Sequence, residues 1–410
     1  MKKFFALLLS LAMVLALVAC GQKDPTPDTP DTPDDPQTKV EYKVAMITDY
    51  GGITDQSFNQ TTYEACKAFA EDNSIEFSYF RPAGDNTADR VAMIEKAVDE
   101  GFNVIVMPGY AFGGAIVEAA PEFPDVKFIA LDVAAGDLLE TAVAKAGEAY
   151  DYTPENWDLN KYVDMSNVYC AVYQEELCGY MAGYAAVKLG YKNLGFLGGM
   201  SVPAVVRYGY GFVQGVDAAA ADLGLTDVKL NYIYGGQFFG DADITAVMDT
   251  WYQGGTEVVF ACGGGIYTSA VDAAKKVGAK VIGVDVDQAG VIANYAGVDG
   301  MTVTSAMKGL YPATYDTLTD VIVNGNWEKY VGKIETLGLV SGTDPEANYV
   351  QIPMGDGTQW SDSFTQDDYK AMVKDMFDGK ITVSNNTSSD VSAADFATVI
   401  TVDDQGSIKG

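Results

Sequence analysis

Histidine is absent from all 410 residues, which removes imidazole acid–base chemistry, Ser-His-Asp triads and histidine-ligated zinc. Cations are scarce: 26 Lys and Arg stand against 57 Asp and Glu, a net charge of −31. A surface of that sign repels phosphate backbones and argues against nucleic acid as a partner. The five cysteines form no CxxC pair and no metal-ligand spacing. A phosphate-cradling loop is missing too, since Gly379-Lys380 runs into Ile381 without upstream glycines, so the chain is not expected to hydrolyse ATP itself. Long apolar runs are also lacking. The longest, Phe4–Ala19, is broken by Ser10 and is short for a permanent membrane span. Neither metal nor cofactor is expected.

What is present fits a folded, exported body. Hydrophobic residues make up 48% and charged residues 20%, too rich a mixture for general disorder, and the length suggests two or three domains. Residues 1–19 join a basic start, Lys2 and Lys3, to an apolar stretch, the layout of an export signal. The run Leu17-Val18-Ala19-Cys20-Gly21 resembles the lipobox of bacterial lipoproteins, which implies cleavage before Cys20 and a diacylglycerol on its thiol. Two acyl chains suffice for stable anchoring. Residues 20–40, with Pro25, Pro27, Pro30, Pro33 and Pro36 among Asp and Thr, read as a semi-rigid tether with a reach of ~3 Å per residue. The expected location is the extracytoplasmic face of a bacterial cell membrane.

From Lys43 onward, short β-branched runs alternate with helical stretches, the pattern of βαβ units and parallel sheets. Val44–Thr48, Phe77–Phe80, Val104–Met107 and Phe128–Leu131 form one series; Leu194–Leu197, Lys229–Tyr234, Val258–Cys262 and Val281–Val284 form another. The expectation is an α/β protein of two doubly wound lobes joined by several crossovers. Residues 41–191 make lobe 1, with an irregular insertion at 134–165, and 192–290 make lobe 2. Residues 291–325 are expected to return to lobe 1, 326–380 to lobe 2, and 381–410 to form a peripheral tail. Cys66, Cys170, Cys178 and Cys262 sit singly in apolar patterns and read as buried small hydrophobes, with a Cys170–Cys178 bridge as the alternative.

Ligands of open α/β sheets sit beyond the carboxyl ends of the strands. There the sequence places Asp49-Tyr50-Gly51-Gly52, Pro108-Gly109, Asp132, Gly263-Gly264-Gly265 and Asp285. A single such Asp is ordinarily a cap or turn former, but Asp49, Asp132 and Asp285 fall at matching positions in both halves and point to one crevice.

The stretch Thr48-Asp49-Tyr50-Gly51-Gly52-Ile53-Thr54-Asp55-Gln56-Ser57-Phe58-Asn59-Gln60 resembles the opening signature of the basic membrane protein family, the nucleoside-binding lipoproteins of ABC transporters. Ile282-Gly283-Val284-Asp285-Val286-Asp287-Gln288, Thr304-Ser305-Ala306-Met307-Lys308, and Gly198–Pro203 followed by Arg207–Phe212 are similar to its later motifs, in the same order. The likeness spans roughly Val44 to Val323; the 134–165 segment, the acidic tail and Tyr208, where many members have Phe, depart from it.

The resemblance implies a type I periplasmic-binding-protein fold that clamps a nucleoside, a purine one first, with Phe58 and Tyr208 stacking on the base. It further implies that Asp285 and Lys308 hold the sugar hydroxyls, with amides of Gly263 and Gly264 close by. Asp49, Asn59 and Asp132 are then candidates for the base edge or remaining hydroxyls, and Asp287 is the alternative to Asp285. Expected partners are a permease and its ATPase, the chain acting as a monomeric receptor and not as an enzyme. A receptor for another sugar-bearing or autoinducer-like molecule, and a nucleoside hydrolase, are the competing readings.

Overall fold

Runs of Val, Ile, Phe and Ala become the central strands because they are buried on both faces, as parallel sheets covered by helices require. The computed structural model describes residues 41–409; the expected signal peptide, Cys20 and the tether lie outside them. Lobe 1 begins with β1 (Lys43–Ile47), α1 (Phe58–Asn73), β2 (Glu76–Phe80), α2 (Thr87–Asp99) and β3 (Val104–Pro108). It continues through α3 (Phe112–Ala119), β4 (Lys127–Leu131), α4 (Ala135–Lys145), a short α5 (Leu159–Tyr162) and β5 (Val168–Tyr173). Lobe 2 contains α6 (Glu175–Lys188), β6 (Asn193–Gly198), α7 (Pro203–Asp222), β7 (Lys229–Tyr234), α8 (Ala242–Gln253) and β8 (Val258–Cys262). Then come α9 (Tyr267–Val277), β9 (Lys280–Asp285), α10 (Ala289–Ala296), β10 (Thr302–Lys308) and α11 (Leu310–Leu318). The last elements are β11 (Ile334–Leu337), β12 (Val350–Gln351), α12 (Gln366–Phe377) and β13 (Thr401–Ser407).

The sheet orders are β11-β5-β4-β3-β1-β2 and β12-β10-β9-β8-β6-β7-β13. Stripped of their outer strands, both halves repeat one doubly wound order, in which the strand sequence reverses between β1 and β3 and between β6 and β8. Those reversals open crevices at the carboxyl ends of the strands.

Five boundary expectations need correction. Lobe 1 does not run to residue 191, since α6 packs backbone to backbone against α7 and belongs to lobe 2. Residues 291–325 do not return as a whole to lobe 1: β10 pairs in parallel with β9 (Ser305 opposite Gly283) and supplies the fifth strand of the second repeat. Only α11 reaches back, where Tyr315 meets Phe69 edge-on at 5.9 Å and donates to Asp72 at 2.8 Å. Residues 326–380 first add β11 to lobe 1, with Ile334 opposite Cys170, before β12 and α12 join lobe 2. Within 134–165, α4 is the ordinary crossover helix between β4 and β5, and the irregular part follows it. The tail is not merely peripheral, since β13 extends the second sheet in parallel with β7, Thr401 opposite Lys229. The four described cysteines are buried and free, so no Cys170–Cys178 bridge forms.

Two features of α6 and α7 position the site. Glycine lets the helices touch backbone to backbone: a Cβ on Gly179 would fall 2.3 Å from the Tyr208 carbonyl oxygen, and one on Gly211 would fall 2.1 Å from that of Glu176. That approach buries Glu175 and brings Arg207 and Tyr208 toward the strand ends. Further along α7, Asp217 fastens the tail, accepting from the Thr398 hydroxyl (2.6 Å) and from the amides of Thr398 (2.8 Å), Val399 (2.7 Å) and Ile400 (3.2 Å). Burial raises this carboxyl, but the four hydrogen bonds outweigh it and hold the group below its ordinary range. With a lowered folded value, its stabilisation is complete above pH ~4 and lost as pH falls through that value. Asp217→Ala is expected to cost about 1–2 kcal/mol in urea unfolding and to open residues 381–400 to limited proteolysis. A tail as protease-resistant as the parent's contradicts this role.

Candidate functional site

The carboxyl ends of both sheets face a cavity of about 380 Å³. All nine residues expected from the sequence line it: Asp49, Phe58, Asn59 and Asp132 from lobe 1, and Tyr208, Gly263, Gly264, Asp285 and Lys308 from lobe 2. Asp285 is the residue in the wall; Asp287 instead accepts the Ala289 amide at 3.0 Å and is not part of the lining.

On the lobe 1 side, the turn after β1 is organised by its own carboxylates. Asp49 accepts the amides of Tyr50 (2.6 Å) and Gly51 (2.7 Å) and the Asn59 side-chain amide (3.2 Å). Burial raises its carboxyl, while the Gly51 and Tyr50 amides, Asn59 and Arg90 oppose that rise. Asp55 gathers the start of α1, accepting from the amides of Ser57 (3.0 Å), Asn59 (2.9 Å) and Gln60 (3.1 Å) and from Asn59 Nδ2 (3.1 Å). With both amide hydrogens engaged, Asn59 keeps its Oδ1 buried and without a hydrogen-bond partner.

On the lobe 2 side, Lys308 ends β10 with its side chain 3% exposed. Its ammonium lies 2.5 Å from Asp132, 3.3 Å from Glu175 and 3.8 Å from Asp285. It also stands over the rings of Phe58 (4.8 Å), Tyr173 (5.4 Å) and Tyr208 (5.6 Å). Burial works against this cation, but the three carboxylates outweigh it and hold Lys308 protonated well above its ordinary range. Asp132 is pushed up to about 6 by burial, against the pull of Lys308 and with a further rise from Glu175. At 2.5 Å from a protonated amine, Asp132 forms an ion pair at neutral pH, and its Oδ1 is buried without a partner.

Asp132 and Asp285 take up left-handed backbone at matching strand ends, φ 58° and 65°. That conformation is sparsely populated for non-glycine residues and concentrates at functional sites. Gly263 (φ 151°) and Gly264 (φ 49°) carry the facing loop; a Cβ on Gly263 would fall 2.9 Å from the Phe238 ring.

The lobes are already in contact. Ser57 donates to Asp285 at 2.6 Å, Gln288 to the Gln56 carbonyl at 3.2 Å, and Lys308 reaches across to Asp132. Tyr208 is placed differently from a free stacking platform: it is 2% exposed, packs edge-on against Phe260 at 5.9 Å, and its hydroxyl donates to Asp285 at 3.3 Å.

Sequence reasoning did not single out Asp55, Glu175, Phe238 or Phe239. The first is an acid just ahead of an apolar helix, a readable cap signal. Glu175 is fully buried and accepts from Arg207 Nε at 2.7 Å, which its position at a helix start does not reveal. Phe238 and Phe239 follow β7 and line the cavity; asking what lies beyond that strand, as for the others, finds them. Among the described residues no group of three His, Cys, Asp or Glu is arranged to hold a metal. The geometry suits binding: aromatic walls, a pre-paired cation, and two buried acceptors without a protein partner on residues of the lining.

Comparison with known proteins agrees. Residues 42–343 match the family model described as ABC transporter substrate-binding protein PnrA-like. A Lactococcus lactis subsp. cremoris protein named ABC transporter nucleoside-binding protein BmpA is 26% identical over 392 residues, covering 92% of this chain and 96% of its own. An uncharacterized lipoprotein of Pyrococcus abyssi is 26% identical over 320 residues, covering 74% and 69%. In fold, the chain is similar to a solute-binding protein of an ABC transporter system from Aeropyrum pernix, with TM-score 0.60 at 20% identity over 83% and 87% of the two chains. With two lobes of the type I periplasmic-binding-protein fold closing on one cavity, the chain belongs to the PnrA-like Bmp family of ABC transporter substrate-binding proteins.

Proposed function

We propose that this protein captures a nucleoside, purine nucleosides first, in the cleft between its lobes. It passes the ligand to a membrane permease driven by a separate ATPase. The observation that carries the reading is the pairing of two buried, unpartnered acceptors, Asn59 Oδ1 and Asp132 Oδ1, with the Phe58 ring in one cavity. A ligand that satisfies both features has a flat apolar face and hydrogen-bond donors, as a base joined to a pentose does. The relative named as nucleoside-binding supports the same ligand class. The receptor works as a monomer without catalysing a reaction, held at the outer face of the membrane by lipid on Cys20 and the 20–40 tether.

Charge sets the limit on the ligand. Lys308 is already satisfied by three carboxylates, so a phosphate beside it meets acids, and the other cation in the lining, the exposed Arg81, donates to the Tyr50 carbonyl at 3.2 Å. Calorimetry against nucleosides, free bases, monosaccharides and nucleoside 5′-monophosphates tests this. At least one nucleoside should bind with one-to-one stoichiometry, and its monophosphate at least about 100-fold more weakly, since like-charge juxtaposition costs several kcal/mol. Binding by monosaccharides alone would move the assignment to a sugar receptor. Release of free ribose from a nucleoside would make the protein a hydrolase.

A further inference from the structure

Residues 344–409 extend beyond the stretch that matches the family model, yet they reach the cleft. The tail crosses lobe 2, with Gln214 donating to the Ser384 carbonyl at 3.0 Å and Tyr210 to that of Val391 at 3.0 Å. It then runs beside β7 as β13, where Trp251 donates to Gln405 at 3.2 Å and the Ile408 amide to the Tyr234 carbonyl at 2.8 Å. This path delivers Lys409 to the loop between β7 and α8, whose Phe238 and Phe239 line the cavity.

The contacts form a short chain from the tail to the wall. Lys409 Nζ donates to Gln237 Oε1 at 2.9 Å and pairs with Asp241. Gln237 Nε2 in turn donates to the Phe239 carbonyl and to Asp241, each at 2.9 Å. Asp241 also caps α8, accepting the Ile244 amide at 3.0 Å. On its far side the loop is held by backbone: the Gly235 and Gly236 amides donate to Gly198 and Gly199 at 2.7 and 2.9 Å, and the Gly265 amide donates to Phe238 at 2.9 Å. A half-exposed Phe239 cannot be fixed by burial; the polar chain and these amides locate it.

We propose that Lys409, carried to the cleft rim by β13, is a positioning residue that fixes the Phe238–Phe239 wall through Gln237 and Asp241 and thereby sets how tightly the cleft holds its ligand. The proposal rests, for its affinity part, on the nucleoside reading above. If the loop holds its competent position only a third to a tenth of the time once Lys409 is gone, apparent Kd rises about three- to tenfold.

The test uses the parent protein, Lys409→Ala and Lys409→Arg. Hydrogen–deuterium exchange at the Gly236 and Gly265 amides is read without ligand, and Kd by calorimetry with the nucleoside that binds the parent. Lys409→Ala should exchange at least about threefold faster at both amides and bind more weakly, with an unchanged thermal midpoint. Lys409→Arg, which keeps the cation and its donors, should restore both readings. Unchanged exchange in Lys409→Ala overturns the inference whether or not a nucleoside binds, as does faster exchange with the parent's Kd. Should no nucleoside bind the parent, the functional reading falls and the exchange measurement alone decides the positioning role.

Discussion

Lys308→Met is expected to lower stability by about 3–5 kcal/mol at pH 8, the range for breaking a buried ion pair by removing one partner, and to recover much of it at pH 5. The lysine is the shared partner of Asp132, Glu175 and Asp285, all on side chains under 10% exposed. Met fills similar volume against Phe58, Tyr173 and Tyr208 but leaves the cluster with Arg207, which is already bound to Glu175. Asp132, so stranded, avoids the cost by taking up a proton. Asp132, pushed up to about 6 even beside the ammonium, rises further in the variant. A carboxyl whose folded pKa lies above its unfolded value of ~3.9 leaves stability intact at low pH and removes it as pH climbs through the folded value. Parent and variant share the loss that begins near pH ~4, so the variant's deficit relative to the parent opens only above about 6 and is full above its further raised value. Urea unfolding at the two pH values reads this directly. A variant as stable as the parent at pH 8, or equally weakened at both, would show that the cluster does not depend on the lysine.

The same residues show what could be read from the chain and what could not. Helix α9 falls on Tyr267–Val277, and β3 and β8 lie where continuous apolar runs put them, because burial on both faces leaves a local signature. The partner of a strand leaves none: Thr302–Lys308 reads alike whichever sheet takes it, and only the doubly wound order of lobe 2 places it beside β9. β13, with the polar sequence TVDDQGS, has no apolar face to betray it; Asp217 and the open edge of β7 make it a strand. At the site, acids directly after strands were legible since the carboxyl-end rule concerns position. Glu175 was not, since its burial is created by Gly179 and Gly211 letting two helices touch. Tyr208 was placed in the cavity wall by motif, but its tie to Asp285 depends on a register between lobe 2 elements that no local pattern records.

Phe58→Ala should raise the nucleoside Kd by roughly 5- to 150-fold, the equivalent of the 1–3 kcal/mol that a stacked base contributes. The ring is the aromatic group that begins α1, and it is held in place by the Asp55 hydrogen bonds to that helix start. Two effects are combined in the substitution. Ala removes a face for the base, and it also removes one of the rings over which Lys308 sits, a cation–π contact of about 0.5–2 kcal/mol. Two further variants separate them. Phe58→Tyr keeps both faces and should bind within a fewfold of the parent. Phe58→Leu keeps apolar volume without a π-system, so it should stay close to the Ala variant if stacking governs affinity and close to the parent if bulk alone matters. The loss should appear mainly in the dissociation rate, because ring removal weakens the closed complex more than it alters encounter. Parent-like affinity in Phe58→Ala would remove the base from this wall of the cleft, and with it the reason for placing a flat heterocycle between the lobes.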